Sequence, residues 1–262
     1  MTTPAKYDKI GVGYNRTRQA DPYLTERIYH LLQAIEGKHY LDVGCGTGNY
    51  TCALHKREVR LTGVDPSLQM LEKAREKSSS INWLEGSVEN LPLEDNFFDG
   101  AIATLTLHHW QNLNAGFSEI KRVLKAQSPL VIFTSTPAQM QTYWLNHYFP
   151  GMMATSTKQM PSLEEVTHKL RENGLSVTTT EKYFVKDDLQ DLFLQSGKNK
   201  PDLYFEPQVR SGISSFAALS NATEVELGLK LLANDIHTGN IRKIIKQYES
   251  DEGDYLFILA HT

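Results

Sequence analysis

Between His39 and Ser135, short apolar runs alternate with stretches of helical period. "HYLDV", "VRLTGV", "INWLEG", "FDGAIATLTL" and "PLVIFTS" read as strands. Helical patterns separate them: one through Tyr50 and Leu54, "PSLQMLEKAREK", and one buried through Leu113, Phe117, Ile120 and Leu124. The last turn of the second is rich in lysine and arginine, as a helix C-terminus prefers. Strands joined by helices of about ten to fifteen residues form βαβ units, and these pair in parallel with helices on both faces of the sheet. The pattern therefore predicts an α/β fold.

A capped helix precedes this core. Asp21 is its N-cap, Pro22 its first helical residue and Gly37 lies beyond its end. Leu24, Ile28, Leu31, Leu32 and Ile35 fall on one face. After Pro137 the rhythm breaks, and residues 138–160 are rich in Met, Gln, Tyr and Trp without a clean period. "SLEEVTHKLRENG" then reads as a helix with a capping box at Ser162 and Glu165 and a stop at Gly174. "LSVTTTEKYFV" is strand-like, a mainly helical stretch follows with a second capping box at Thr223 and Glu226, and "DYLFILAHT" returns as a last strand. With 262 residues the chain fits one domain, 1–262, carrying insertions at 137–160 and 186–250. A chain this long can bury a core without disulfides or structural metal.

Charge and cysteine usage narrow the function classes. The net charge of -4 provides no basic field for nucleic acid, and Lys6, Lys9, Arg16 and Arg18 are scattered near the start. Cys45 and Cys52 are the only cysteines, without a second pair at zinc-ligand spacing. "MTTPAKYDKI" has no apolar signal core, and no apolar run approaches the length of a membrane span. A cytoplasmic protein with a small-molecule substrate, no nucleic acid partner and no membrane insertion is expected. The oligomeric state has no signature in the sequence.

"LDVGCGTGNY" places Gly44, Gly46 and Gly48 directly behind the first strand. A strand, a glycine turn and a helix aim backbone N–H groups and the positive helix end at a ligand. The spacing G-x-G-x-G is one residue short of the pyrophosphate fingerprint G-x-G-x-x-G, and Asp42 precedes the turn. Gly11-Val-Gly13 has no strand leading into it. Asp65, about twenty residues beyond Gly44, ends the second strand, where an acid can accept both hydroxyls of a ribose. It can also simply cap the helix that starts at Pro66.

Taken together, "LDVGCGTGNY", "GVDPSLQMLEKAR", "EGSVENLPLEDNFFD" and "LTLHHW" resemble the successive motifs of class I S-adenosylmethionine-dependent methyltransferases. The similarity is to the type 11 family, which includes ubiquinone and menaquinone biosynthesis-like enzymes, and it is strong over residues 38–135. The resemblance implies a Rossmann-like, mostly parallel seven-stranded sheet with a mainly helical substrate cap. It implies an N-terminal lid and first helix over 1–37, a cofactor-binding core over 38–136, and cap segments in the two insertions. S-adenosylmethionine would be the cofactor and S-adenosylhomocysteine its product. Gly44 and Gly46 would pass beneath the methionine part, Asp65 would hold the ribose, and Met70 would pack near the adenine. Ser87 stands where the family usually has an Asp that accepts from the adenine amino group, and the Val88 N–H would donate to the ring. Thr104 would border the methionine moiety, while Tyr14 and Arg18, with Tyr7 and Arg16, would fold over the cofactor toward its carboxylate. "LKAQSPL" departs from the family's Leu-Lys-Pro-Gly-Gly, since Ser128 lacks glycine's freedom at positive φ.

Methyl transfer from a sulfonium is an in-line displacement, in which positioning supplies roughly 7–11 kcal/mol. No H-E-x-x-H or Cys/His cluster suggests a metal. His108 and His109, just past the fourth strand, are the catalytic candidates, as base or hydrogen-bond donor; the bland alternative is that they only shape the pocket. As consecutive residues they are expected to point apart, with His109 toward substrate. Trp110 is packing or a substrate platform. Tyr143, Trp144, Tyr148 and Phe149 either line the substrate cavity or form the core of the cap. The competing functions are a carboxyl methyl ester-forming enzyme of the malonyl-carrier or aconitate type, with Arg210 as its cation, an NAD-dependent oxidoreductase, and a non-catalytic nucleoside-binding protein.

Overall fold

The computed structural model describes residues 17–262. Seven strands form a single sheet in the order β3-β2-β1-β4-β5-β7-β6. The first five are β1 (His39–Val43), β2 (Arg60–Asp65), β3 (Asn82–Glu85), β4 (Ala101–Thr104) and β5 (Pro129–Thr134). They pair in parallel. β7 (Tyr255–His261) returns antiparallel between β5 and β6 (Ser176–Tyr183). Strand order reverses between β1 and β4, and the carboxyl ends there form the crevice in which open α/β sheets bind ligands.

Helix α1 (Pro22–Leu32) starts as its cap residues require, with the Asp21 side chain accepting from Leu24 N. Leu24, Ile28, Leu31 and Leu32 are buried, but the helix stops before Gly37. Gln33 adopts φ 49° and closes it, so Ile35 lies beyond the helix and is 61% exposed. Helices α2 (Asn49–His55), α3 (Leu68–Lys77) and α4 (Leu113–Val123) are the crossovers of the core. The sheet separates two apolar layers, one gathered round Leu41, Phe117 and Ile132 and the other round Ile28, Val131 and Phe257.

Beyond Pro137 the aperiodic stretch folds into three short helices: α5 (Pro137–Gln141), α6 (Leu145–Tyr148) and α7 (Pro150–Lys158). Helix α8 (Leu163–Glu172) is capped by the Ser162 side chain and stopped near Gly174, which has φ 74°. The second insertion supplies α9 (Pro207–Gly212), α10 (Ser214–Ala218), α11 (Ala222–Thr238) and α12 (Ile241–Gln247). The cap of α11 is Asn221, not Thr223. Glu226 instead pairs with Lys230, one turn on. Both insertions pack into a third apolar cluster of their own, around Tyr143, Trp144, Tyr204 and Leu232. In the turn before β5 the positive φ falls on Gln127 (61°). Ser128 keeps ordinary geometry and donates from its backbone to Thr262 Oγ1 at 3.0 Å.

Candidate functional site

The glycine turn is bonded to β2. Gly44 N and Cys45 N both donate to Val64 O, at 2.8 and 3.1 Å. Its glycines have separate reasons to be glycines. A Cβ at Gly44 would lie 2.1 Å from Thr106 Oγ1, whereas a Cβ at Gly46 (φ 53°) would meet nothing within 4 Å. The first absence makes room for the protein, and the second leaves backbone open to a ligand. Lys77 steadies the turn from the end of α3, its ammonium donating to Thr47 O and Oγ1 at 2.8 Å each. Burial pulls the Lys77 pKa down to about 8.

Asp65 ends β2 and does not cap α3; Ser67 does, accepting from Met70 N. The Asp65 carboxylate accepts from Gly46 N at 2.8 Å and Ser67 N at 2.9 Å. It thus joins the open glycine to the start of the next helix while still bordering the cavity. Asp42 is 2% exposed and accepts from Thr51 Oγ1 at 2.6 Å. Burial first, with the neighbouring Asp65 charge, pushes its pKa up to about 7 against the opposing bond from Thr51.

β4 ends at Thr104, and Leu105 turns the chain with φ 54°, a left-handed conformation that costs a branched residue roughly 1–2 kcal/mol. The turn leads into a single 3₁₀ turn, Leu107–His109. His108 and His109 do not point apart. Their rings lie side by side in a tilted arrangement, centroids 3.8 Å apart at 50°, and both border the same cavity. Period-two alternation applies to a strand, and these residues sit on a 3₁₀ turn. Trp110 packs edge-on against Phe117 and also borders the cavity.

One cavity of about 780 Å3 collects these groups. Arg18, Gly44, Gly46, Asp65 and Met70 line it, as do Ser87, Val88, Thr104, His108 and His109. Tyr14, with Tyr7 and Arg16, lies outside the described residues. The carboxylates of Asp42, Asp65, Glu85, Glu89 and Asp191 border the space. Among the described residues the lining holds one guanidinium, Arg18, and no lysine. Arg18 pairs with Asp191 through Nε and Nη2, and the Tyr50 hydroxyl donates to the same carboxylate at 3.1 Å. Among the described residues no cluster of three metal-ligating side chains occurs.

Apart from Asp191, which also belongs to the second insertion, the cap lines the cavity with uncharged side chains, among them Met140, Ser156, Gln159 and Met160 from the first insertion and Ile213 and Ser215 from the second. Tyr143, Trp144, Tyr148 and Phe149 are core, all buried among cap residues and absent from the cavity lining. The Tyr143 hydroxyl bonds that of Tyr204 and Trp144 Nε1 donates to Lys198 O. Arg210 also stands away from the cavity, spent on Tyr204 O, with burial lowering its pKa. The cap residues and Asp191 had no sequence signature, because isolated serines, methionines and an aspartate in an aperiodic stretch match no motif. Leu105 was equally hidden, since a left-handed turn is read from glycine.

Residues 41–132 match the methyltransferase domain family. A demethylmenaquinone methyltransferase from Staphylococcus haemolyticus is 33% identical over 209 residues, covering 74% of this chain and 84% of that protein. A malonyl-[acyl-carrier protein] O-methyltransferase from Pectobacterium atrosepticum is 32% identical over 112 residues, so the chain aligns with only 44% of that relative's length. In three dimensions the chain is similar to a crystal structure from Anabaena variabilis, assigned as a methyltransferase of an antibiotic biosynthesis pathway. The TM-score is 0.82 and the identity 35%, over 93% of this chain and 98% of the other. A geranyl diphosphate C-methyltransferase from Streptomyces coelicolor, solved with S-adenosylhomocysteine, shares the fold at TM-score 0.58 and 16% identity, over 91% of this chain and 78% of that one. With an open glycine turn, an acid at the end of β2 and these relatives, the chain belongs to the S-adenosylmethionine-dependent methyltransferase family.

Proposed function

We propose that the protein methylates an uncharged small-molecule acceptor, held between the histidine pair and the cap. One observation carries this: the cavity is rich in carboxylates, poor in cations and closed by a cap wall whose one charged side chain, Asp191, is already paired with Arg18. S-adenosylmethionine, when bound, supplies a methyl group on a positively charged sulfur. Asp65, Glu85 and Glu89 would provide a negative field for such a cation, whereas an NAD pyrophosphate would be repelled by it. Gly46 leaves its backbone open for close approach, and Asp65, at the end of β2, stands where an acid would accept from ribose hydroxyls. Met70, Ser87 and Val88 would border the adenine, Thr104 the methionine part. Arg18, braced by Asp191, would stand near the carboxylate. His108 and His109 would orient the acceptor, and an imidazole nitrogen of His109 would take the proton of a hydroxyl acceptor.

A carboxylic acid acceptor finds little here, because Arg210 is spent in the cap and Arg18 is already paired. The test is incubation with isotopically labelled S-adenosylmethionine and two acceptor pools, neutral phenols and enols in one, carboxylic acids in the other. Label should enter the neutral pool with matching release of S-adenosylhomocysteine. Label appearing only in methyl esters would overturn the proposal.

A further inference from the structure

The cap wall contains an arrangement that the methyl-transfer reading leaves unexplained. Ser156, in the last turns of α7, and Ser215, in α10, come from different insertions. Their hydroxyl oxygens are 2.7 Å apart, both residues are buried, and both border the cavity. Serine and threonine hydroxyls in helices commonly bond the carbonyl four residues back. Thr155 does so, donating to Gly151 O at 2.9 Å on the exposed side. Ser156, the next residue, turns instead to Ser215. Helix α7 is held in place for this by Glu224, whose carboxylate accepts from Gly151 N at 2.6 Å and Met152 N at 3.1 Å.

A hydroxyl is one donor and two acceptor sites. The bond between the two serines uses one proton and one lone pair, which leaves one O–H and further lone pairs on two residues that line the cavity. Around them the wall is uncharged and mainly apolar, with Met140, Met160, Leu194, Ile213 and Leu219 beside the polar Gln159 and Ser214. In such surroundings an unmet hydroxyl is costly, and an ionised group with no cation beside it costs far more.

We infer that Ser156 and Ser215 form a polar anchor for the acceptor: a two-hydroxyl site that takes one uncharged carbonyl or hydroxyl group on an otherwise apolar molecule. The inference rests on the methyltransferase reading for the rest of the cavity and names the acceptor class. The anchor selects an apolar body with a neutral oxygen group, and it rejects the carboxylate analogue, which would be desolvated without a counter-charge. Because one serine comes from each insertion, the anchor exists only when both halves of the cap are packed together.

The test uses the protein saturated with S-adenosylhomocysteine and three probes titrated calorimetrically, methyl para-hydroxybenzoate, para-ethylphenol and para-hydroxybenzoate, which share a phenol for the histidine end of the cavity and differ only in the para substituent offered to the serines. The ester should bind most tightly, the alkylphenol less tightly and the carboxylate least. In the S156A/S215A variant the ester should lose about tenfold in affinity, the worth of one net hydrogen bond, while the alkylphenol changes little. Ser215→Thr, which keeps a hydroxyl, should retain the preference for the ester. Tighter binding of the carboxylate, an equal loss for ester and alkylphenol, or no binding by any probe would overturn the anchor. Affinity for S-adenosylhomocysteine is read in the same titrations. Its absence from the wild-type protein would be a failure of the cofactor reading, not of the anchor.

Discussion

A carboxylate in a ligand site usually has one duty, but Asp65 has a structural one as well, through Gly46 N and Ser67 N. Asp65→Ala should therefore act twice. Thermal melts should lose the shift that S-adenosylhomocysteine produces on the native state. The ligand-free protein should also be less stable by about 1–3 kcal/mol, because backbone donors lose their acceptor. Asp42 offers a pH test. Its folded pKa, raised to about 7, lies above the value of an unfolded aspartate, so the folded state holds the proton longer. Its contribution to stability is complete at low pH and is lost as pH rises through about 7, with a slope of at most about 1.4 kcal/mol per pH unit. Denaturant titrations should find that decline in the wild type and a flatter profile in Asp42→Asn. A sulfonium cofactor favours ionised Asp42, so its affinity should rise over the same window, and the rise should shrink in the variant.

Among the elements, the short turn after β4 and the chain entering α1 matter most. The turn through Leu105 brings the centroids of the two imidazoles to 3.8 Å. If His109 takes a proton from the acceptor, His109→Ala should lower turnover about a hundredfold or more with cofactor affinity within a few-fold, and the ionisation near neutrality should leave the rate profile. Near-normal turnover would make the pair a pocket wall. At the entry to α1, Arg18 is 15% exposed and Asp191 1%. Removing residues 1–16 should weaken cofactor binding, if that segment is a lid, while the ligand-free melt stays unchanged. Removing residues 1–19 strands the Asp191 charge and should cost about 3–5 kcal/mol as well. Equal melts for the two truncations would mean that the ion pair contributes nothing.

At the scale of the molecule, the core was legible because buried parallel strands are apolar runs, and glycine and an acid at their ends are chemical signals. Gly44, Gly46, Asp65 and the histidines could be found for that reason, and all border one cavity. The cap was not legible, since its short helices hold together through aromatic packing and bonds such as Tyr143 to Tyr204, which have no period. The orientation of the histidines failed for a related reason: Leu105 in a left-handed turn replaces strand alternation with a 3₁₀ turn. The central claim is that this cavity is built for a cationic methionine nucleoside held through Asp65. Calorimetric titration of the purified protein with S-adenosylmethionine, and separately with NAD, tests it most directly. Saturable binding of S-adenosylmethionine, lost in Asp65→Ala and absent for NAD, is the predicted result; binding of NAD with no response to S-adenosylmethionine would contradict it.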